Sequence, residues 1–263
     1  MSLQSTYLTG RDRFYTNLPD SLAIADDHVT GRLVAEYGAV LLARGGAVPP
    51  DRVIYRDEGE VAAFQSTLET ARGTIGEFEM ELQAAAMNEL LRAVAEAGAE
   101  GLSITPRGPD SARRSYNETV ELWLSRVEPA LKYWESEGRL THRESERISL
   151  MPTAEQVAAV LELEEAGIFF AKDLSKSILY SVAPPGTSQH LSLLAFDVKE
   201  FGDPRVRAIL SSRKWYQTVV SDLPHFTYLG VAEDELPELG LKRVASGDQV
   251  FWLPDIPSAG GTK

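Results

Sequence analysis

The sequence contains no cysteine. That excludes a disulfide framework, a thiolate zinc finger and a cysteine nucleophile. It leaves the compartment open, because a cytosolic protein and an exported one without disulfides both fit. Basic residues are in deficit: 26 Lys and Arg stand against 39 Asp and Glu, for a net charge of −13. Phosphate backbones are bound through Lys and Arg, so no nucleic-acid partner is expected. Long apolar runs are missing as well, and none approaches the roughly 18 residues of a membrane-spanning helix. Met1-Ser2-Leu3-Gln4-Ser5-Thr6 has no charged segment followed by an apolar one, so no signal peptide is visible. Histidine is scarce: His28, His142, His190 and His225 are the four in the chain. There is no internal repeat and no low-complexity tract.

What is present is globular in kind. With 43% hydrophobic residues over 263 positions, the chain can bury a substantial core in one or two domains. Residues 1–75 read as an N-terminal extension or small subdomain, and residues 76–263 as the main domain. The first 20 residues are polar and mixed, which suggests irregular structure. Apolar positions at helical spacing follow Asp26 and Asp27 and stop at Gly45-Gly46. Val53-Ile54-Tyr55 is strand-like, and residues 62–70 fit either strand or helix. The spacing and composition predict a helix over 77–97, stopped at Gly98, and a short strand over 101–106. A helix over about 116–137 follows, kinked or split at Pro129. Thr141 and Glu144 have the spacing of a capping box for a helix over 141–151, and another helix covers 153–166. Residues 168–170, 216–220 and 226–229 read as strands, and 191–198 as a buried central strand. Asp203-Pro204 opens a short helix through Ser212, a second short helix covers 233–239, and a hairpin turns at Ser246-Gly247-Asp248, with a loose tail from Pro254. The order of elements predicts an α+β fold: a small, mainly antiparallel sheet with flanking helices.

Two stretches carry the chemistry. Ala183-Pro184-Pro185-Gly186-Thr187-Ser188-Gln189-His190 is a stiff turn that leads into an apolar run ending at Asp197. Asp222-Leu223-Pro224-His225-Phe226 is a second stiff turn before a strand. Together they hold two imidazoles and two carboxylates, the donor types of a catalytic zinc site with three protein ligands and one open position. His190 and Asp197 are seven residues apart, an odd separation that places them on opposite faces of a regular strand. Either the chain bulges between them or His190 still belongs to the turn. The simpler alternative is a His and an Asp paired at strand ends with no metal. His28 and His142 have polar, local surroundings and read as surface residues. Arg114, in a basic cluster with Arg107 and Arg113, reads equally as a surface charge beside Asp110 or Glu118. Trp215 and Tyr216 read as core aromatics.

Pro185-Gly186-Thr187-Ser188-Gln189-His190 with Ala195 and Asp197 resembles the PGxSxHxxGxAxD motif of the zinc D-alanyl-D-alanine carboxypeptidases, the VanY-like peptidoglycan peptidases. Asp222-Leu223-Pro224-His225-Phe226-Thr227-Tyr228 resembles their ExxHFxY segment, and Arg114-Ser115-Tyr116 resembles their YRSY segment. The likeness covers about residues 100–230. It implies a zinc D-Ala-D-Ala peptidase-like fold, with His190, Asp197 and His225 as ligands of Zn2+ and Asp222 as general base. It implies that Arg114 and Ser188 hold the carbonyl or carboxylate of a peptidoglycan stem peptide, and that the protein works outside the cytoplasm, in periplasm or cell wall. Two positions depart from the motif. Leu193 stands where the motif has glycine, and Asp222 where it has glutamate. The second departure admits an alternative: a binding module of the same fold with impaired turnover.

Overall fold

A computed structural model describes residues 8–257. The chain is α+β, with three small antiparallel sheets among eight α-helices of the described residues. The helices are α1 (Gly10–Asn17), α2 (His28–Tyr37), α3 (Glu58–Gln65), α4 (Ala84–Ala99), α5 (Tyr116–Ser136), α6 (His142–Ser149), α7 (Thr153–Glu165) and α8 (Pro204–Ser212). The strands β1 (Thr70–Ile75) and β2 (Phe78–Gln83) form one hairpin, and β6 (Leu241–Ser246) and β7 (Gln249–Pro254) form another. Between them in sequence, β3 (Ala195–Asp197), β4 (Trp215–Gln217) and β5 (His225–Tyr228) build a three-stranded sheet in the order β3-β5-β4.

Local chemistry explains most helix starts. At α5 the Ser115 hydroxyl accepts from the Glu118 N–H while the Glu118 carboxylate accepts from the Ser115 N–H, which satisfies two end groups that would otherwise lack partners. The same reciprocal pair, Thr141 with Glu144, opens α6 where the sequence predicts it. Asp27 caps α2, and Asp203 followed by Pro204 opens α8. Helix α5 packs Trp123, Val127 and Leu131 into a helical core shared with α6 and α7.

The three-stranded sheet has two unlike faces. Phe196, Phe226, Trp215 and Tyr228 alternate onto one face and pack in a core with Leu90 of α4 and Leu210 of α8. Asp197, His225 and Thr227 alternate onto the other. One face is therefore a hydrophobic anchor, and its reverse is a polar floor.

Several expectations are corrected. The segment 77–97 is not one helix, because its first part is β2. Phe78, Met80 and Leu82 alternate with Glu79 and Glu81, a strand period that the helix-favouring composition hides. The following helix passes through Gly98 to Ala99, and Gly101 supplies the left-handed residue, at φ +72°. Pro129 does not split α5; it lies on the exposed side of the helix. Residues 53–55, 101–106 and 168–170 form no strands, apart from a single bridge between Pro106 and Val198. The run 191–198 begins as a 3₁₀ turn, and β3 is an edge strand with β5 in the centre. Residues 10–17 are helical rather than irregular, and Ile256 in the expected loose tail is buried. The absence of a visible signal peptide concerns positions 1–6, outside the described residues.

The N-terminal segment is woven into the rest. The 75/76 boundary falls in the β1–β2 turn, and Phe14, Val34 and Leu42 share a core with Leu241 and Trp252.

Candidate metal centre

Strand register brings the first two groups together. Asp197 of β3 is paired directly with His225 of β5, so both side chains leave the same face of the sheet. His225 Nδ1 lies 3.1 Å from Asp197 Oδ1. His190 reaches the same oxygen from outside the sheet, with its Nε2 at 3.3 Å. It sits in the 3₁₀ turn Gln189–Ser192, so of the two ways to accommodate the odd spacing the chain uses the turn. Leu193 closes that turn at φ +58°, the left-handed conformation that glycine adopts most easily. The backbone here has the shape glycine favours, although the residue is leucine. The two imidazoles stand nearly edge to face at 4.9 Å. One ligand atom from each of His190, Asp197 and His225 lies within 4.8 Å of the others.

Hydrogen bonds on the outer ring nitrogens fix what the inner ones offer. His190 Nδ1 is 3.3 Å from the Ala112 carbonyl, which can only accept. His225 Nε2 is 2.9 Å from Gln189 Oε1. The Gln189 amide is oriented by its own Nε2, which donates to the Tyr37 carbonyl at 2.9 Å, and by Thr227, which donates to Oε1. In the tautomer that donates to these acceptors, both imidazoles direct their hydrogens outward. When neutral, they turn two lone pairs toward one carboxylate.

Without a cation, the carboxylate draws ring hydrogens inward. Burial pushes up on the Asp197 carboxyl, but the charge and hydrogen bonding of His190 and His225 outweigh it and hold it well below the usual carboxylate range. Burial pushes the His190 imidazole below its ordinary value, against the pull of Asp197. An ionised carboxylate and neutral imidazoles are the ligating forms. With the ring hydrogens directed outward, the three inner atoms converge as acceptors suited to a metal cation, and outer-nitrogen contacts of this kind orient metal-bound histidines. The group is a buried set that could hold a metal ion.

The turn that carries His190 is anchored from the N-terminal part of the chain. Gly186 has φ +79°, and a Cβ there would lie 1.9 Å from the Tyr55 carbonyl oxygen. Gln65 Nε2 donates to the Leu191 carbonyl at 2.9 Å, and Gln83 Nε2 to the Ser192 carbonyl at 2.8 Å. The second turn is closed by the His225 N–H on the Asp222 carbonyl at 3.1 Å. Gln217 reaches into it to donate to the Leu223 carbonyl.

A cavity of about 470 Å³ opens beside the triad, and Asp222, Arg114 and Ser188 line it together with His190, Asp197 and His225. All six residues singled out in the sequence therefore meet. Arg114 Nη2 lies 3.4 Å from Asp110, as the surface-charge reading has it, and 3.9 Å from Asp197 at the triad. Asp222 is exposed at the lip. His28 and His142 pair with Glu165 and Glu135 at the surface, away from the cavity, and Trp215 and Tyr216 are core. Sequence reasoning missed the orienting roles of Gln189 and the Ala112 carbonyl. Gln189 stands next to a candidate ligand, which was the one available signal.

Comparison with protein-family models, with curated proteins and with solved structures gives no match.

Proposed function

We propose that the chain is a zinc-dependent peptidase acting on peptidoglycan stem peptides, as a D-alanyl-D-alanine carboxypeptidase. The observation that carries this reading is the convergence of His190, Asp197 and His225 with Asp222, Arg114 and Ser188 on one cavity. Two imidazoles and one carboxylate form a ligand set suited to catalytic zinc with an open position. When bound, zinc supplies Lewis-acid activation of water and of an amide carbonyl. Asp222 takes a proton from the attacking water and returns it to the departing amine. Arg114 and Ser188 hold the substrate's carbonyl or terminal carboxylate, and the guanidinium opposes the negative charge that develops on the carbonyl oxygen. Asp110 and Asp197 hold that guanidinium at the cavity edge. A cell-wall substrate goes with a location outside the cytoplasm.

The test has two parts. Elemental analysis is expected to find about one zinc per chain in the wild type and none in His225→Ala. Release of D-alanine from an acyl-D-alanyl-D-alanine peptide is expected to fall by about 100-fold or more in Asp222→Ala. Absence of zinc even after incubation with excess metal would sink the reading. A second reading is favoured by the exposure of Asp222 and by its side chain, one methylene shorter than glutamate: a module that retains metal and peptide binding without turnover. Zinc present with no cleavage selects it.

A further inference from the structure

One wall of the cavity has no part in the hydrolytic step. Leu122 and Arg126, four residues apart on α5, present the same helix face to the cavity, opposite the segment that contains Tyr180 and Ser181. The half-buried Arg126 donates from Nε to the Ser181 hydroxyl at 2.9 Å and from Nη1 to the Ser125 hydroxyl at 2.9 Å. Both partners are neutral. A guanidinium has five N–H donors, so most of this one remains free for a ligand. The chain has 39 Asp and Glu, yet none pairs with Arg126 among the described residues. Arg114 on the same cavity pairs with two carboxylates. Arg107 also lines the cavity, but it is exposed, whereas Arg126 is held in a fixed direction by Ser181. Beside it stand two large, poorly covered side chains, Leu122 (37% exposed) and Tyr180 (48% exposed).

We propose that Arg126 binds a second carboxylate of the substrate, on the acyl side and several residues from the scissile amide, while Leu122 and Tyr180 cover the aliphatic part that precedes it. This rests on the peptidase reading. A carboxypeptidase leaving group is a single residue, so a remote subsite lies on the acyl side. From Tyr116 to Arg126 the helix rises about 15 Å. An extended peptide covers that distance in four or five residues, and the reach of two arginine side chains shortens the requirement to about three or four. The ligand is thus a short acyl peptide with an internal acidic side chain, not a dipeptide.

The experiment uses two N-acetyl pentapeptides ending in D-alanyl-D-alanine, alike except that the second residue carries a free carboxylate in one and a carboxamide in the other. Calorimetry on zinc-loaded Asp222→Asn measures binding, and D-alanine release from the wild type gives KM and kcat. The carboxylate peptide is expected to bind about tenfold or more tightly, the size of a charged hydrogen bond, with the difference in KM rather than kcat. Arg126→Gln removes the difference between the peptides, and Arg126→Lys retains part of it. Cleavage of both peptides with equal KM overturns the Arg126 assignment and leaves the peptidase reading standing. A binding preference without cleavage supports Arg126 and overturns the peptidase reading alone. A preference that survives Arg126→Gln, or absence of binding to either peptide, overturns the assignment.

Discussion

Gln189 sets the direction of His225, although in the sequence only its place beside His190 marks it. Its amide nitrogen is spent on Tyr37, so its oxygen has to face the imidazole. Gln189→Leu keeps the bulk and removes the acceptor. Metal affinity is expected to fall about 10–100-fold, read by competition with a chromophoric chelator. Leu193 poses the opposite problem. Its left-handed backbone costs about 1–2 kcal/mol, while removal of a fully buried leucine side chain costs about 2–5 kcal/mol. Leu193→Gly is therefore expected to lower stability by about 1–3 kcal/mol in urea unfolding. Glu36 on α2 gives a pH signature. Burial pushes its carboxyl up to about 7, with Arg32 opposing. A folded-state value above the unfolded one means stability is greatest below the unfolded value and declines as pH rises through about 7. Glu36→Gln should raise the melting temperature at pH 8 and leave it nearly unchanged near pH 4.

At the scale of elements, α5 carries a proline at its solvent face. An interior proline costs a helix about 3 kcal/mol, and the exposed face softens that cost. Pro129→Ala is expected to stabilise the protein by about 1–2 kcal/mol in denaturant unfolding. Elements whose causes are local were legible in the sequence. The Thr141–Glu144 cap, the Asp203-Pro204 start and the terminal hairpin each depend on residues a few positions apart. β2 was not legible, because Glu, Met, Leu and Gln favour helix, and pairing with β1 overrides them. The two histidines stood out by their stiff turns, while the choice of Asp197 as third member came from the motif resemblance. The pairing of Asp197 with His225 and the left-handed Leu193 were not legible, since register and backbone sign come from the folded sheet. Gln189 stayed hidden because its partners lie 36 and 152 positions away.

At the scale of the molecule, the site and the fold depend on each other. A metal held by His190 of the 3₁₀ turn, Asp197 of β3 and His225 of β5 would stabilise the folded chain only, by about 4 kcal/mol when free metal is a thousandfold above its dissociation constant. For a chain of this length that corresponds to about 10 °C. Removing metal with a chelator is expected to lower the melting temperature by about that amount in the wild type and to have no effect in His225→Ala. Arg107, Arg114 and Arg126 line the cavity despite the net charge of −13. Binding of the carboxylate peptide is therefore expected to weaken with added salt more than that of its carboxamide counterpart, as measured by calorimetry at two ionic strengths.

The Gln217 side chain that pins the Asp222 turn also donates to Gln249 in the last hairpin. The His190 turn is pinned by Gln65 and Gln83, far upstream. A ribosome delivers these pieces in order, and a chain emerging N-terminus first holds its early anchors long before it has anything to anchor. Until the codons for the final hairpin have been read, the nascent polypeptide has no finished cradle for an ion. A chain cut short before β6 is therefore expected to bind metal more weakly than one that carries the last hairpin, because the Asp222 turn then lacks its Gln249 anchor.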